Sequence, residues 1–246
     1  MTPLLQVVTA VYGTRHAPFL RVLLESLQRV GYRPKNLWVV TDAPETVPRG
    51  SAQAILLPDP TVGDNPPCPK SRKVVAWAAA ADRLLDGPTV FLDADTLVQR
   101  PLAAAFSDRW EVGITVRLGR WPINSGVVFA HLASATRDWL GTWRDLTLWL
   151  EQGARAAHAQ GTWGGLDQAA LSASLDLHRL RVGHLPCARW NQGENPDDIA
   201  EPAVLHYKGL LPFLLGDKQL GPGDERDPVT FEPMRRLWLD HLETAR

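Results

Sequence analysis

Thr89-Val90-Phe91-Leu92-Asp93-Ala94-Asp95-Thr96-Leu97-Val98 decides how the rest of the chain is read. The apolar run through Leu92 shows no alternation of polar and apolar residues, the pattern of a strand covered on both faces. It stops at two carboxylates flanking one small residue. Aspartate is rarely buried without a partner, so an acidic pair at the mouth of a core strand needs a physical reason. Alternate side chains on a strand point to opposite faces, but where the chain turns, Asp93 and Asp95 can both reach one ion. Hard oxygen ligands of this kind suit Mg²⁺ or Mn²⁺, with substrate phosphates completing the shell. Aspartates that merely start a turn would leave the same letters.

Upstream, Leu4 to Thr9 reads as a first buried strand, followed by a loop through Tyr12-Gly13-Thr14. Leu20, Leu23, Leu24, Leu27 and Val30 recur at helical spacing, with Gly31 as the stop. Leu37 to Asp42 and Ala54 to Leu57 are the next strands, so the opening is strand, helix, strand and implies a right-handed crossover in a parallel sheet. Residues 58–70 are too rich in proline and turn formers for regular structure. A helix from Ser71 to about Leu85 then delivers the chain into the acidic strand, with Gly87-Pro88 between them.

Downstream, Val112 to Val116 and Gly126 to Ala130 read as strands separated by a loop holding Arg120 and Trp121. Ser134 caps a helix whose Trp139, Trp143, Leu146 and Leu150 have core spacing. A glycine-rich turn over 161–168 opens a short helix through Leu175. Leu177 to Val182 and Ala203 to Tyr207 read as strands joined by an irregular segment containing Trp190-Asn191, residues 216–228 as a polar loop, and Pro233 to Leu242 as a last amphipathic helix. No repeat or compositional break divides the chain, so 1–246 reads as one domain.

The composition narrows the function classes. With 246 residues, 45% of them hydrophobic and 22% charged, the chain can bury a large α/β core. A formal net charge of −1 supplies no global field to attract nucleic acid or an acidic membrane. Cys68 and Cys187 form neither a metal motif nor a disulfide framework, which fits a cytoplasmic location. The first residues show no signal peptide, and no run is long enough to span a bilayer. Ten tryptophans are a high count; some must fill the core, and indoles are also surfaces on which sugars and bases stack.

Four polar clusters each follow apolar residues: Asp93/Asp95, Asn124-Ser125-Gly126, Asp167-Gln168 and His206-Tyr207-Lys208-Gly209. In an open α/β sheet, ligands bind at the carboxyl edge of the strands, so the four would converge there. Together with Lys73-Val74-Val75-Ala76-Trp77 and taken in order, these motifs resemble glycosyltransferase family 8, the glycogenin-like retaining transferases. The resemblance runs from about Val7 to Gly209. It implies a GT-A type, Rossmann-like, mixed but mainly parallel sheet flanked by helices. Residues 1–100 would be mainly the nucleotide-binding half and 101–246 the donor-sugar and acceptor half.

The resemblance also implies a nucleotide-sugar donor, usually a UDP-sugar, an acceptor it leaves unnamed, and Mn²⁺ or Mg²⁺. Asp93, Asp95 and His206 would ligate the metal, with Asp93 and Ala94 also beside the donor. Lys73 would contact diphosphate or sugar. Thr9, Ala10 and Tyr12 would meet the nucleobase, where His16 could stack. Asn124 and Ser125 would line the donor-sugar site, with Gly126 allowing close backbone approach, and Lys208 and Gly209 would complete the cofactor-binding set. Asp167 and Gln168 would be catalytic, holding the sugar and stabilising an oxocarbenium-like transition state. An aspartate at a helix N-terminus also complements the dipole, a structural alternative for Asp167.

Two positions depart from the family pattern. Where the family has a lysine six residues after the histidine, this chain has Pro212, and Lys208 is the candidate substitute. The acidic residue often found three positions before the Asp-Gln aspartate is Gly164. The main rival is a haloacid-dehalogenase-like phosphatase, whose strand also ends in Asp-x-Asp and whose late acidic motif Gly223-Asp224-x-x-Asp227 imitates. Against it, Thr96 follows Asp95 directly, and the motif arrives only after a complete strand-helix-strand unit. A non-catalytic sugar-nucleotide-binding protein of the same fold is the other alternative, disfavoured because a dead site need not keep its ligands.

Overall fold

The computed structural model describes residues 4–59, 71–106, 109–119, 121–151, 154–193, 199–208, 210–216 and 228–245. Strand β1 (Gln6–Ala10) leads through α1 (Ala17–Arg29) to β2 (Leu37–Thr41) and β3 (Gln53–Leu56), all parallel. Gly31, at φ +96°, ends the α1 segment as its position predicts. Helix α2 (Arg72–Ala81) then feeds β4 (Gly87–Leu92), which pairs with β1 in parallel. Val90, Phe91 and Leu92 are fully buried, as an unalternating strand requires.

At Asp93 the chain turns out of the large sheet, and β5 (Thr96–Val98) starts a separate ribbon. The Thr96 hydroxyl donates to the Asp93 carbonyl at 2.7 Å and closes that turn. Strands β6 (Val112–Val116) and β7 (Ile123–Leu132) follow, then α3 (Ser134–Leu150), α4 (Ala154–Trp163), α5 (Leu166–Leu177), β8 (Val182–Pro186) and the single turn α6 (Cys187–Trp190). Strand β9 (Val204–His206) pairs antiparallel with β5, and the short α7 (Leu211–Leu214) and long α8 (Pro228–Thr244) end the chain.

The large sheet has the order β3-β2-β1-β4-β7-β6-β8, and only β7 runs against the rest. This is the mixed, mainly parallel, helix-flanked architecture expected. Its antiparallel member positions the site. The ladder continues one step past Leu92↔Val127, because Asp93 N–H donates to the Gly126 carbonyl at 2.8 Å. Between β6 and β7 the register slips from Ile114↔Val128 to Thr115↔Asn124, so Ser125, Gly126 and Val127 form a bulge against β6, with Asn124 at its edge. Bulges bend a strand and re-aim its side chains, and they recur beside active sites.

Several packed clusters hold these elements, and two of them bear on the site. On one face of the sheet Phe91, Trp77, Trp143 and Trp139 form a chain of aromatic contacts, with successive ring centroids 5.5, 5.9 and 5.6 Å apart. Each such pair adds about 0.5–1.5 kcal/mol beyond its buried area. A separate cluster joins Phe19 and Val22 of α1 to Leu97, Leu205 and Tyr207 of the ribbon and to Met234 and Trp238 of α8. Helix α8 is further tied to α1 by His241 with Glu25 and by Arg29 with Asp240 at 3.1 Å.

Several sequence expectations need correction. Leu177 to Val182 is not a strand: Leu177 ends α5, and the strand begins at Val182. Strand β8 is an edge strand, half-exposed and closed by Pro186, so the burial pattern that marks inner strands is weak there. The alanine-rich segment before the glycines is helix α4, and the turn is thus confined to Gly164 and Gly165. Ser134 is the first helical residue rather than the cap; Ala133 N–H is satisfied instead by the Thr136 hydroxyl at 2.8 Å. Helix α2 stops at Ala81, and α8 begins before Pro233, which a helix accepts near its start. Most of the 58–70 and 216–228 loops lie outside the described residues, as do Cys68, Arg120, Gly209 and the Gly223–Asp227 acidic motif.

Candidate active site

A cavity of about 660 Å³ opens at the carboxyl edge of β1 and β4. Its walls include Ala10, Tyr12, His16, Lys73, Asp93, Ala94, Asp95, Asn124, Ser125, Asp167, Gln168, His206 and Lys208, nearly every residue singled out in the sequence. Gly209 lies outside the described residues, Gly126 is not among the lining residues, and neither is Thr9. Thr9 is buried within β1 below the cavity, with its hydroxyl not hydrogen-bonded.

Asp93, Asp95 and His206 each offer a ligand atom, and the three atoms lie within 4.8 Å of one another. His206 Nε2 is 3.1 Å from Asp95 Oδ1 and 3.6 Å from Asp93 Oδ2. The pairing Thr96↔His206 brings the imidazole back to the acidic turn, and the Tyr207 N–H bond to the Asp95 carbonyl at 2.8 Å locks it there. Gly126 leaves room for the cluster: a Cβ on it would lie 2.4 Å from His206 Cε1 and 3.1 Å from Asp93 Oδ2.

One residue of this cluster was passed over in the sequence. Asn191 is 1% exposed, and its Oδ1 lies 2.9 Å from His206 Nδ1. Its Nδ2 donates to the Thr115 hydroxyl at 2.8 Å and to the Asn124 carbonyl at 3.4 Å, which fixes the orientation of the amide. Oδ1 therefore accepts the Nδ1 proton, and the Nε2 lone pair faces the two carboxylates, the tautomer a metal-binding histidine needs. Two carboxylate oxygens and an imidazole nitrogen so disposed fit Mn²⁺ or Mg²⁺. Asn191→Leu is expected to weaken Mn²⁺ binding about 10–100-fold, read by electron paramagnetic resonance titration. Unchanged Mn²⁺ affinity in that variant would remove the orienting role.

Lys73 ties the Asp93–Asp95–His206 cluster to the catalytic candidates. Its Nζ is 2.9 Å from Asp93 Oδ2, 3.1 Å from Asp167 Oδ2 and 3.2 Å from Ser125 Oγ. The ammonium lies 5.4 Å from the Trp77 ring centroid. Burial disfavours its charge, but Asp93 and Asp167 together outweigh that and hold its pKa above the usual lysine range. The two acids respond differently. Burial, helped by the charge of Asp95, raises Asp93 despite Lys73 and His206. Burial also acts to raise Asp167, but Lys73 and the Ser125 hydroxyl overcome it, leaving this carboxyl below its ordinary value.

Asp167 sits in the first turn of α5, whose chain enters through Gly165. A Cβ at Gly165 would press on Asp167 Oδ1 at 2.7 Å and on Gln168 Nε2 at 3.1 Å. From behind, the Trp143 indole N–H donates to the Asp167 carbonyl at 2.9 Å. The core tryptophan thus places the acid. Lys208 adopts φ +48°, and its side chain crosses Gly193, where a Cβ would overlap Lys208 Cε, to reach the cavity wall. Pro212 is in α7 instead.

The fold is that of GT-A glycosyltransferases. No protein-family model matches the sequence, and no curated protein matches it. Among solved structures, the glycosyltransferase GlyE of Streptococcus pneumoniae TIGR4 aligns with a TM-score of 0.60 at 15% identity, over 96% of this chain and 60% of GlyE. The galactosyltransferase LgtC, in complex with donor and acceptor sugar analogs, aligns at 0.55 and 14% identity over 97% of this chain and 95% of that one. A glycosyltransferase involved in glycosylation of the major capsid of PBCV-1 aligns at 0.55 and 13% identity, over 84% and 94%. Likenesses at this identity establish the architecture.

Proposed function

We propose that the chain is a metal-dependent glycosyltransferase that moves a sugar from a UDP-sugar to an acceptor hydroxyl with retention at the anomeric carbon. The observation that carries this is the union, in one cavity, of a three-ligand cation cluster with the Lys73–Asp167–Gln168 group. Asp93, Asp95 and His206 would hold Mn²⁺ or Mg²⁺, which when bound neutralises the charge of the departing nucleoside diphosphate. Lys208 adds a second positive charge on the diphosphate side, in place of the family lysine. Asp167, kept ionised by Lys73 and Ser125, orients the hydroxyls of the donor sugar. The Gln168 amide oxygen stabilises positive charge at C1 as the C1–O bond to the diphosphate breaks. The acceptor oxygen bonds C1 on the same face, and its proton leaves with the diphosphate.

The test is a thermal-shift panel of nucleotide-sugars with and without Mn²⁺, followed by measurement of released nucleoside diphosphate. A true donor at 100 times its Kd should stabilise the fold by about 2.7 kcal/mol, only when metal is present. Release of inorganic phosphate from phosphomonoesters, with no response to any nucleotide-sugar, would overturn the proposal in favour of a phosphatase.

A further inference from the structure

Trp121 lines the cavity beside Gly164, Gly165 and Gln168, and two contacts fix its position. The indole lies against Gly164, where a Cβ would be 2.9 Å from Trp121 Cδ2 and 3.0 Å from Cγ. Gly164 also has φ +74°, so both its backbone and the indole exclude a side chain. Arg117 Nε donates to the Trp121 carbonyl at 2.9 Å, and Arg117 N–H bonds the Pro122 carbonyl at 2.8 Å. A broad apolar face is therefore braced against the turn that leads into Asp167 and Gln168.

The contacts order the cavity. Tyr12 and His16 follow β1, whose Thr9 pairs with Leu92, the residue before Asp93. The cation cluster comes next, then Lys73 bridging Asp93 to Asp167, and then Gln168 with Trp121. A nucleotide-sugar laid along this line has its nucleoside near Tyr12, its diphosphate at the cation cluster and its sugar at Asp167–Gln168. Trp121 then meets whatever approaches the anomeric carbon.

We propose that Trp121 is the stacking platform for the acceptor, and that the acceptor is a saccharide; this rests on the glycosyltransferase reading above. A pyranoside presents a C–H face to an indole while its rim carries alcohols, so one ring can stack and still supply the attacking oxygen. A serine or threonine hydroxyl has no such face. A nucleobase has the face, but its rim bears amide and amine groups in place of alcohols. Arg117 is a positioning residue here, acting through the backbone of the Trp121 turn.

The probes are methyl glycosides of glucose, galactose, mannose and N-acetylglucosamine, with free nucleosides and a serine/threonine peptide as the other arms. Each is offered with Mn²⁺ and the nucleotide-sugar that most raises Tm. Transfer to at least one methyl glycoside is expected. Trp121→Ala should raise that glycoside's KM about ten-fold, the worth of one aromatic contact, and shift the donor KM by less than about two-fold. Trp121→Phe should restore most of the loss. If Trp121→Ala does not fold, Trp121→Leu, which keeps apolar volume without a flat face, carries the same expectation. Transfer only to the nucleosides or the peptide, or donor turnover with transfer to no probe, overturns the saccharide assignment. An unchanged glycoside KM overturns the platform. Absence of turnover with every donor overturns the parent reading, and this one with it.

Discussion

Replacing Asp95 by alanine is expected to lower nucleotide-sugar turnover by about a thousand-fold or more and to leave metal-free thermal unfolding almost unmoved. The two halves of this expectation have separate causes. Asp95 contributes one of the three converging ligand atoms, 3.1 Å from His206 Nε2, so its loss removes an oxygen that no neighbour replaces among the described residues. Its charge also raises the pKa of Asp93, so the fold sheds a repulsion when it goes. A Tm that rises with Mn²⁺ in the wild type and stays flat in Asp95→Ala would place the effect on the ion. Full turnover in the variant would remove the metal from the mechanism.

Lys73→Met should destabilise the fold by about 3–5 kcal/mol, read by chemical denaturation at neutral pH. The side chain is 18% exposed and lies between two acids, so the variant leaves both carboxylates without their cation. The sign with pH follows from the two shifts. Asp167 has a folded pKa below its unfolded one, so its stabilising contribution is present above the ordinary aspartate range and is lost as pH falls through the folded value. Asp93, already raised, rises further without Lys73, which costs stability at neutral pH and nothing once it is protonated. Both effects make the gap between wild type and variant widest at neutral pH and narrower in acid. A gap of equal size at pH 4 and pH 7 would mean that Lys73 acts through packing on Trp77 alone.

What was legible in the sequence had a local signature. Val90-Phe91-Leu92 shows as a strand because it is apolar on both faces, whereas His206 stands out as a ligand only through the family resemblance. Gly126 is legible locally, since a glycine after Asn124-Ser125 marks a close approach that the imidazole exploits. Asn191 has no such signature. Its role depends on a bond to a ring fifteen positions away and on a bulge that turns Asn124 and Thr115 toward it, and both arise only from pairing. Helix α4 was hidden because Gly161, Gly164 and Gly165 made the whole segment look like a turn. Trp121 was visible only as a loop aromatic; the glycine beneath it is more than forty residues away.

The cation cluster also straddles two sheets. Asp93 hangs from the large sheet, whereas His206 belongs to a ribbon wedged between the first and last long helices, with Tyr207 donating to the Met234 carbonyl at 3.0 Å. An ion gripping both would act as a rivet, and its grip would depend on how firmly the last helix is seated. Damage at Trp238, on that helix, would then show itself first as easier stripping of the metal by chelators, before any melting of the sheet.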